Sequence, residues 1–275
     1  VNIPSARLKL PALSEKDRND IAFGVKAGVN IVAASFTRTK QDIVTIKEFL
    51  HELGGDNIQV FAKIENMEGV ENIKEILEIA DGIMIARGDM GVEIAPELVP
   101  VMQSDLILEC RKLGKPVIVA TQMLDSMQLN PLPTRAEVSD VATAIKEGAD
   151  AVMLSAETAS GHYPVESAAM QQRIAITMEQ FLPYTQLANF GYNYSKKERN
   201  DAIATSVAST ANLIDAKAIV CFSETGNSAI RISKSRPKCP IVMITSSPDA
   251  GMKVAPYFGI FSIVVKKLPQ LIEDN

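Results

Sequence analysis

The sequence predicts an α/β protein with a parallel sheet, and two observations carry that prediction. Short apolar runs rich in β-branched residues recur at 30–36, 57–64, 81–87, 116–121 and 150–155. Stretches of helical periodicity flank or separate them, at 15–27, 41–53, 68–79, 97–113, 136–147 and 165–182. Strand and helix in alternation imply parallel strands joined by helical crossovers. Some helix starts carry their own signals. Thr134 followed by Glu137 makes a capping box, and Pro96 and Pro164 stand where a first helical turn tolerates proline. The unit spacing approaches the roughly 30 residues per unit of a (β/α)8 barrel, so the segment 1–182 reads as a partial (β/α)8 TIM barrel with about five βα units present. A five-stranded doubly wound sheet would show the same spacing and stays open at this point.

From 183 to 199 the pattern gives way to an aromatic and polar stretch containing Phe190, Tyr192, Tyr194, Ser195, Lys196 and Lys197, which reads as a linker. A second βα set follows in 200–275. It has a helix at 201–214, strands at 218–222, 241–245 and 260–265, a helix at 228–234 and a short one near Ala250. Three strands make an incomplete α/β carboxy-terminal domain.

Composition narrows the function. With 47% apolar and 22% charged residues over 275 positions, the chain can bury a sizeable core. Its longest apolar runs fall far short of the roughly 20 residues of a spanning helix, and no basic segment followed by an apolar core opens it, so a cytoplasmic protein without a membrane partner is expected. A net charge of -5 argues against nucleic acid. Any phosphorylated substrate must then be held by local cations or by a metal. Cys110, Cys221 and Cys239 have no metal-ligand spacing and read as reduced thiols.

Charged and hydroxyl residues gather at the carboxyl ends of the expected strands, where active sites of parallel α/β folds are assembled. Lys63 and Glu65 lie two apart at one strand end and so point to one face. They suit an anion and a metal ion respectively, or form only a rim salt bridge. The next strand runs into Arg87-Gly88-Asp89-Met90-Gly91. Its glycines fit a tight turn with close backbone approach to a ligand, and Asp89 offers a second oxygen ligand. The alternative is a surface turn without a ligand. Thr121 adds a hydroxyl to the same rim, and Ser155 with Glu157 adds a hydroxyl and a carboxylate fit for a proton network or for helix capping. Met123 and Met127 read as packing, and neither His51 nor His162 stands where a general base is needed.

The blocks AKIENMEGV, DGIMIARGDMGVEI, GKPVIVATQML, PTRAEVSDVA and DAVMLSAETASGHYPVE resemble consecutive motifs of the pyruvate kinase family, in that family's order and spacing. The resemblance covers nearly the whole chain. It implies transfer of a phosphoryl group from phosphoenolpyruvate to ADP, giving pyruvate and ATP in the last step of glycolysis. It further implies that Glu65 and Asp89 hold Mg2+ or Mn2+ and that Lys63 neutralises the phosphoryl group in transit. Gly88, Asp89 and Thr121 would hold the substrate carboxylate, and Thr121, Ser155 and Glu157 would lie on the proton path. These roles agree with the electrostatic and positioning logic of phosphoryl transfer.

The same resemblance places Val1 to Pro4 where the family's chain returns from its lid domain, with Ser5 in place of a usual glycine. The first three barrel strands, the K+ ligands, a phosphate-binding arginine and most of the lid would precede it. A segment lacking them exposes two sheet edges, and the 275 residues alone are expected to be inactive. Asp125, Thr143 and Ala156 depart from the usual glutamate, asparagine and glycine of the motifs; the methyl of Ala156 is harmless only if the local dihedrals admit it.

The family also places a sugar-phosphate effector on a loop matching 223–228, so Ser223, Thr225 and Ser228 are the effector-binding candidates for a sugar phosphate or nucleotide, with Glu224 opposing such an anion. A homotetramer is implied for the full-length enzyme, with Arg135 the residue a subunit contact would need. Two other readings stand beside this one. A Mg-dependent aldolase or lyase of pyruvate or oxaloacetate also uses a Glu and an Asp at successive strand ends, although Lys63 and the second domain speak against it. The other is a non-catalytic fragment that keeps an effector-binding loop.

Overall fold

The computed structural model describes residues 11–194 and 198–268. The chain-return segment with Ser5, the linker residues Ser195, Lys196 and Lys197, and the end of the polar tail lie outside the described residues. Two compact units are formed. The first comprises the described residues up to Cys110 with Lys115–Phe181, and the second Arg111–Gly114 with the described residues from Leu182 onward.

The first unit is built on five parallel strands, β1 (Ile31–Ala34), β2 (Gln59–Ile64), β3 (Gly82–Ala86), β4 (Val117–Ala120) and β5 (Ala151–Met153). They lie in the order β1-β2-β3-β4-β5. A doubly wound sheet needs a reversal of strand order, and this sheet has none, so the consecutive order selects the barrel arrangement. Strand β2 shows why a parallel sheet reads as an apolar run: Val60, Phe61, Ala62 and Ile64 are all fully buried, because both faces of the sheet are covered.

The helices of this unit are α1 (Glu15–Ala27), α2 (Lys40–Glu52), α3 (Met67–Glu71), α4 (Ile73–Ile79), α5 (Arg87–Glu93), α6 (Val99–Leu113, of which the end from Arg111 counts with the second unit), α7 (Arg135–Glu147), α8 (Ala156–Ala159) and α9 (Pro164–Glu179). The capping box expected at Thr134 forms, with Thr134 Oγ1 accepting the Glu137 amide and the Glu137 carboxylate accepting the Thr134 amide. The stretch expected as one helix at 68–79 is two. Asn72 breaks it by turning its side-chain amide onto the Arg38 carbonyl at 3.0 Å, leaving its own backbone at φ -93, ψ 10.

The second unit holds the parallel sheet β6 (Ile219–Phe222), β7 (Ile241–Thr245) and β8 (Ile260–Val264), with helices α10 (Tyr184–Asn193), α11 (Arg199–Leu213), α12 (Asn227–Lys234) and α13 (Pro248–Lys253). The stretch read as a linker at 183–199 thus carries helix α10. Its buried residues Leu187, Ala188 and Gly191 fall on one helical face, and the Phe190 and Tyr194 rings meet one turn apart at 4.6 Å. The aromatic and polar composition hid that period. Among the described residues no helix is long and apolar enough to cross a membrane.

Candidate active site

The five strands end together, and the residues that follow them form one rim. At β2, Lys63 is the partly exposed position of an otherwise buried strand. Its ammonium stands 2.6 Å from Glu65 Oε1 and donates to Ser35 Oγ, just past the end of β1, at 3.0 Å. The Glu65 side chain is 0% exposed. Its Oε2 accepts the Phe36 amide at 2.5 Å, whereas Oε1 has no hydrogen-bond partner beyond the ion-pair contact with Lys63. A buried carboxylate oxygen whose one polar neighbour is the Lys63 ammonium keeps lone-pair capacity that a hard cation could use.

At β3 the structure departs from the expected tight turn. Arg87–Glu93 is helical, and neither Gly88 nor Gly91 has a positive φ. At Gly88 the constraint is close approach rather than φ. A Cβ there would stand 3.3 Å from Thr121 Oγ1, and the Gly88 amide donates to that hydroxyl at 2.7 Å. Asp89 is partly exposed in the first turn of this helix.

Beyond β4 the backbone takes an uncommon course. Thr121 has φ 71 and Gln122 φ 53, two successive non-glycine residues in the left-handed region, at a cost of roughly 1–2 kcal/mol each. Two side chains hold them there. Arg87 Nη2 donates to the Thr121 carbonyl at 2.8 Å and the Gln122 carbonyl at 3.2 Å. Glu157, 1% exposed, accepts the Leu124 amide at 3.0 Å and the Ser155 amide at 2.8 Å. Phe36, after β1, is also left-handed at φ 52, so backbone strain recurs along the rim, as it does at functional sites.

Past β5, Ser155 is exposed and makes no side-chain cap to α8. Ala156 is helical with φ outside the left-handed region, so its methyl group costs the backbone nothing. The structure therefore gathers Lys63, Glu65, Gly88, Asp89, Thr121, Ser155 and Glu157 on consecutive strand ends of a single sheet.

Comparison with known proteins gives the family. Residues 1–168 match the model of the pyruvate kinase barrel domain and residues 201–274 that of the pyruvate kinase alpha/beta domain. The chain belongs to the pyruvate kinase family. A pyruvate kinase of Sporosarcina psychrophila is 48% identical over 273 residues, which are 99% of this chain and 47% of that protein. One of Bacillus licheniformis is 50% identical over 262 residues (95% and 45%), and one of Clostridium acetobutylicum 46% over 267 residues (97% and 56%). The chain spans about half the length of these pyruvate kinases.

Sequence reasoning missed Ser35, which holds Lys63, and the Arg87 side chain, which holds the loop after β4. Serine directly after a strand was a signal for the first. Arg87 opens the Arg87-Gly88-Asp89 run, where the glycine and aspartate carry the more evident chemical signal. In the second unit, Ser223 is buried while Thr225 and Ser228 are exposed around the start of α12, and Gly226 at φ 80 begins that helix. Glu224 is turned onto the Ser246 hydroxyl at 2.8 Å, in the loop after β7. Among the described residues no three His, Cys, Asp or Glu side chains cluster to hold a metal by themselves.

Proposed function

We propose that the protein carrying this chain transfers the phosphoryl group of phosphoenolpyruvate to ADP, giving pyruvate and ATP. The single observation that carries this reading is the pair of partly exposed Lys63 and buried Glu65, together with the Gly88 amide and Thr121 hydroxyl on neighbouring strand ends. Lys63 is fixed by Glu65 and Ser35, so its compact charge is oriented before substrate arrives and faces the phosphoryl oxygens as negative charge moves. The Thr121 hydroxyl and the backbone amides of Gly88 and Asp89 receive the substrate carboxylate. The Gly88 amide donates to the Thr121 hydroxyl at 2.7 Å. Glu65 Oε1 and Asp89 would hold Mg2+ or Mn2+. Such an ion supplies charge neutralisation for the phosphoryl and enolate oxygens, and two carboxylates leave its remaining positions to substrate and water. Ser155, exposed at the rim, and Thr121 lie on the proton path to the enolate carbon. Glu157 is committed to two backbone amides and supports that path by fixing the loop after β4.

In this reading the K+ ligands would lie outside this chain and the full-length enzyme would be a cytoplasmic homotetramer; Ser223, Thr225 and Ser228 are the candidates for an anionic effector, which the neighbouring Glu224 would oppose. The domain reading accompanies this proposal: a catalytic barrel portion at 1–182, a connection at 183–199 and a partial regulatory domain at 200–275. A coupled assay of pyruvate formation in the full-length polypeptide tests the reading. Lys63→Met and Glu65→Gln are each expected to lower turnover on the order of 10²–10³-fold with the fold retained by circular dichroism, and the 275 residues alone to give none. Turnover at the parent rate in either variant would refute the assignment.

A further inference from the structure

We infer that Arg87 is a positioning residue for substrate capture, clamping the loop after β4 in its left-handed conformation so that the Thr121 hydroxyl stays aimed at the Gly88 amide. This rests on the reading that Thr121 and Gly88 receive the substrate carboxylate. The Arg87 side chain is 10% exposed and spans three elements. Nη1 pairs with Asp140 Oδ1 on α7 at 2.6 Å and reaches Gln103 Oε1 on α6 at 3.5 Å. Nη2 bonds the two carbonyls of Thr121 and Gln122. Gln103, 3% exposed, donates in turn to Glu147 Oε2 at 2.7 Å. Asp140 and Gln103 therefore fix the guanidinium, and the guanidinium fixes the loop.

The chemistry of arginine is what this geometry requires. A left-handed Thr121–Gln122 pair points successive carbonyls to one side, and a planar charged fork can donate to both while its other arm keeps an ion pair. A lysine in its place offers one compact charge, which can serve Asp140 or a carbonyl but not the whole set. Because Arg87 and Gly88 are consecutive, the residue that clamps the loop also begins the helix whose backbone meets Thr121 Oγ1. Thr121 and Gly88 are thus locked to each other twice, once directly and once through Arg87.

Two measurements on Arg87→Met and Arg87→Lys separate the outcomes. In the 275-residue chain, amide hydrogen exchange at Gly88 and Leu124 is expected to quicken at least about tenfold in Arg87→Met, less in Arg87→Lys, with the β2 amides unchanged. Unchanged exchange at both sites would overturn the clamp whatever the reaction is. In the full-length polypeptide, KM for phosphoenolpyruvate is expected to rise about ten- to a hundredfold in Arg87→Met, the worth of one or two hydrogen bonds to a charged group, with KM for ADP unchanged and partial recovery in Arg87→Lys. Equal loss of both KM values with a collapsed melting transition would make Arg87 a structural residue and overturn the inference. Absence of phosphoenolpyruvate turnover in the parent would instead defeat the proposed function, leaving the exchange result to stand.

Discussion

Replacing Glu157 by glutamine tests whether this carboxylate is an anchor of the rim. The side chain is 1% exposed and each oxygen accepts one backbone amide, Leu124 at 3.0 Å and Ser155 at 2.8 Å. Glutamine keeps one acceptor oxygen and turns an NH2 group against the second amide, so one charge-assisted bond is lost and two donors face each other without water. A hydrogen bond to a charged group contributes about 1.5–3 kcal/mol and an unsatisfied buried donor costs about 1–3 kcal/mol. The expected loss is therefore about 2–4 kcal/mol, discounted for partial relaxation. With a urea slope of about 1–3 kcal/mol per molar, the midpoint of the affected transition should fall by about 1–2 M. The chain has no tryptophan, so far-UV circular dichroism follows the melt, and exchange at the Leu124 amide assigns the change to the first unit. A midpoint within about 0.3 M of the parent, with Leu124 still protected, would refute the anchor and return Glu157 to the proton path.

Two further outcomes follow from the same rim. Gly69→Ala should destabilise by about 1–3 kcal/mol in a denaturant melt, although alanine is ordinarily favoured over glycine in a helix by about 1 kcal/mol; the new Cβ would lie 2.6 Å from the Thr37 carbonyl oxygen, a backbone atom of a residue only 1% exposed. For Glu137, burial alone would raise the carboxyl, but hydrogen bonds from Ser126 and Thr134 outweigh it and hold it below the ordinary 4.5. Its folded form binds a proton less readily than its unfolded form, so its contribution is fully present above that value and is lost as pH falls below it. Glu137→Gln should lower stability at neutral pH and flatten the acid limb of a stability-pH profile, and an unaltered acid limb would contradict this.

What the sequence disclosed and what it hid divide along physical lines. Strand β2 was legible because burial on both faces leaves an apolar run, and Lys63 and Glu65 stood out because charge in such a run demands a partner or a ligand. The capping box at Thr134 was legible because its bonds join residues three apart. The helix at α10 was not, since its apolar face is narrow and its aromatic residues are spread around it. The order of the strands, which decides between barrel and doubly wound sheet, is a long-range property that unit spacing does not encode.

The loop after β4 marks the deeper limit. Nothing in Thr-Gln-Met-Leu announces a left-handed pair, because neither threonine nor glutamine favours that region. The conformation is imposed from outside: by Arg87, more than thirty residues earlier, on its carbonyls, and by Glu157, more than thirty residues later, on its amide. Each of those side chains is buried and charged, and each would be costly if its partner backbone relaxed into an ordinary turn. The cost of the strained loop and the cost of the buried charges therefore offset each other only in the folded arrangement. Such mutual dependence keeps the Thr121 hydroxyl rigid without a glycine to permit it, and local sequence pattern does not reveal it.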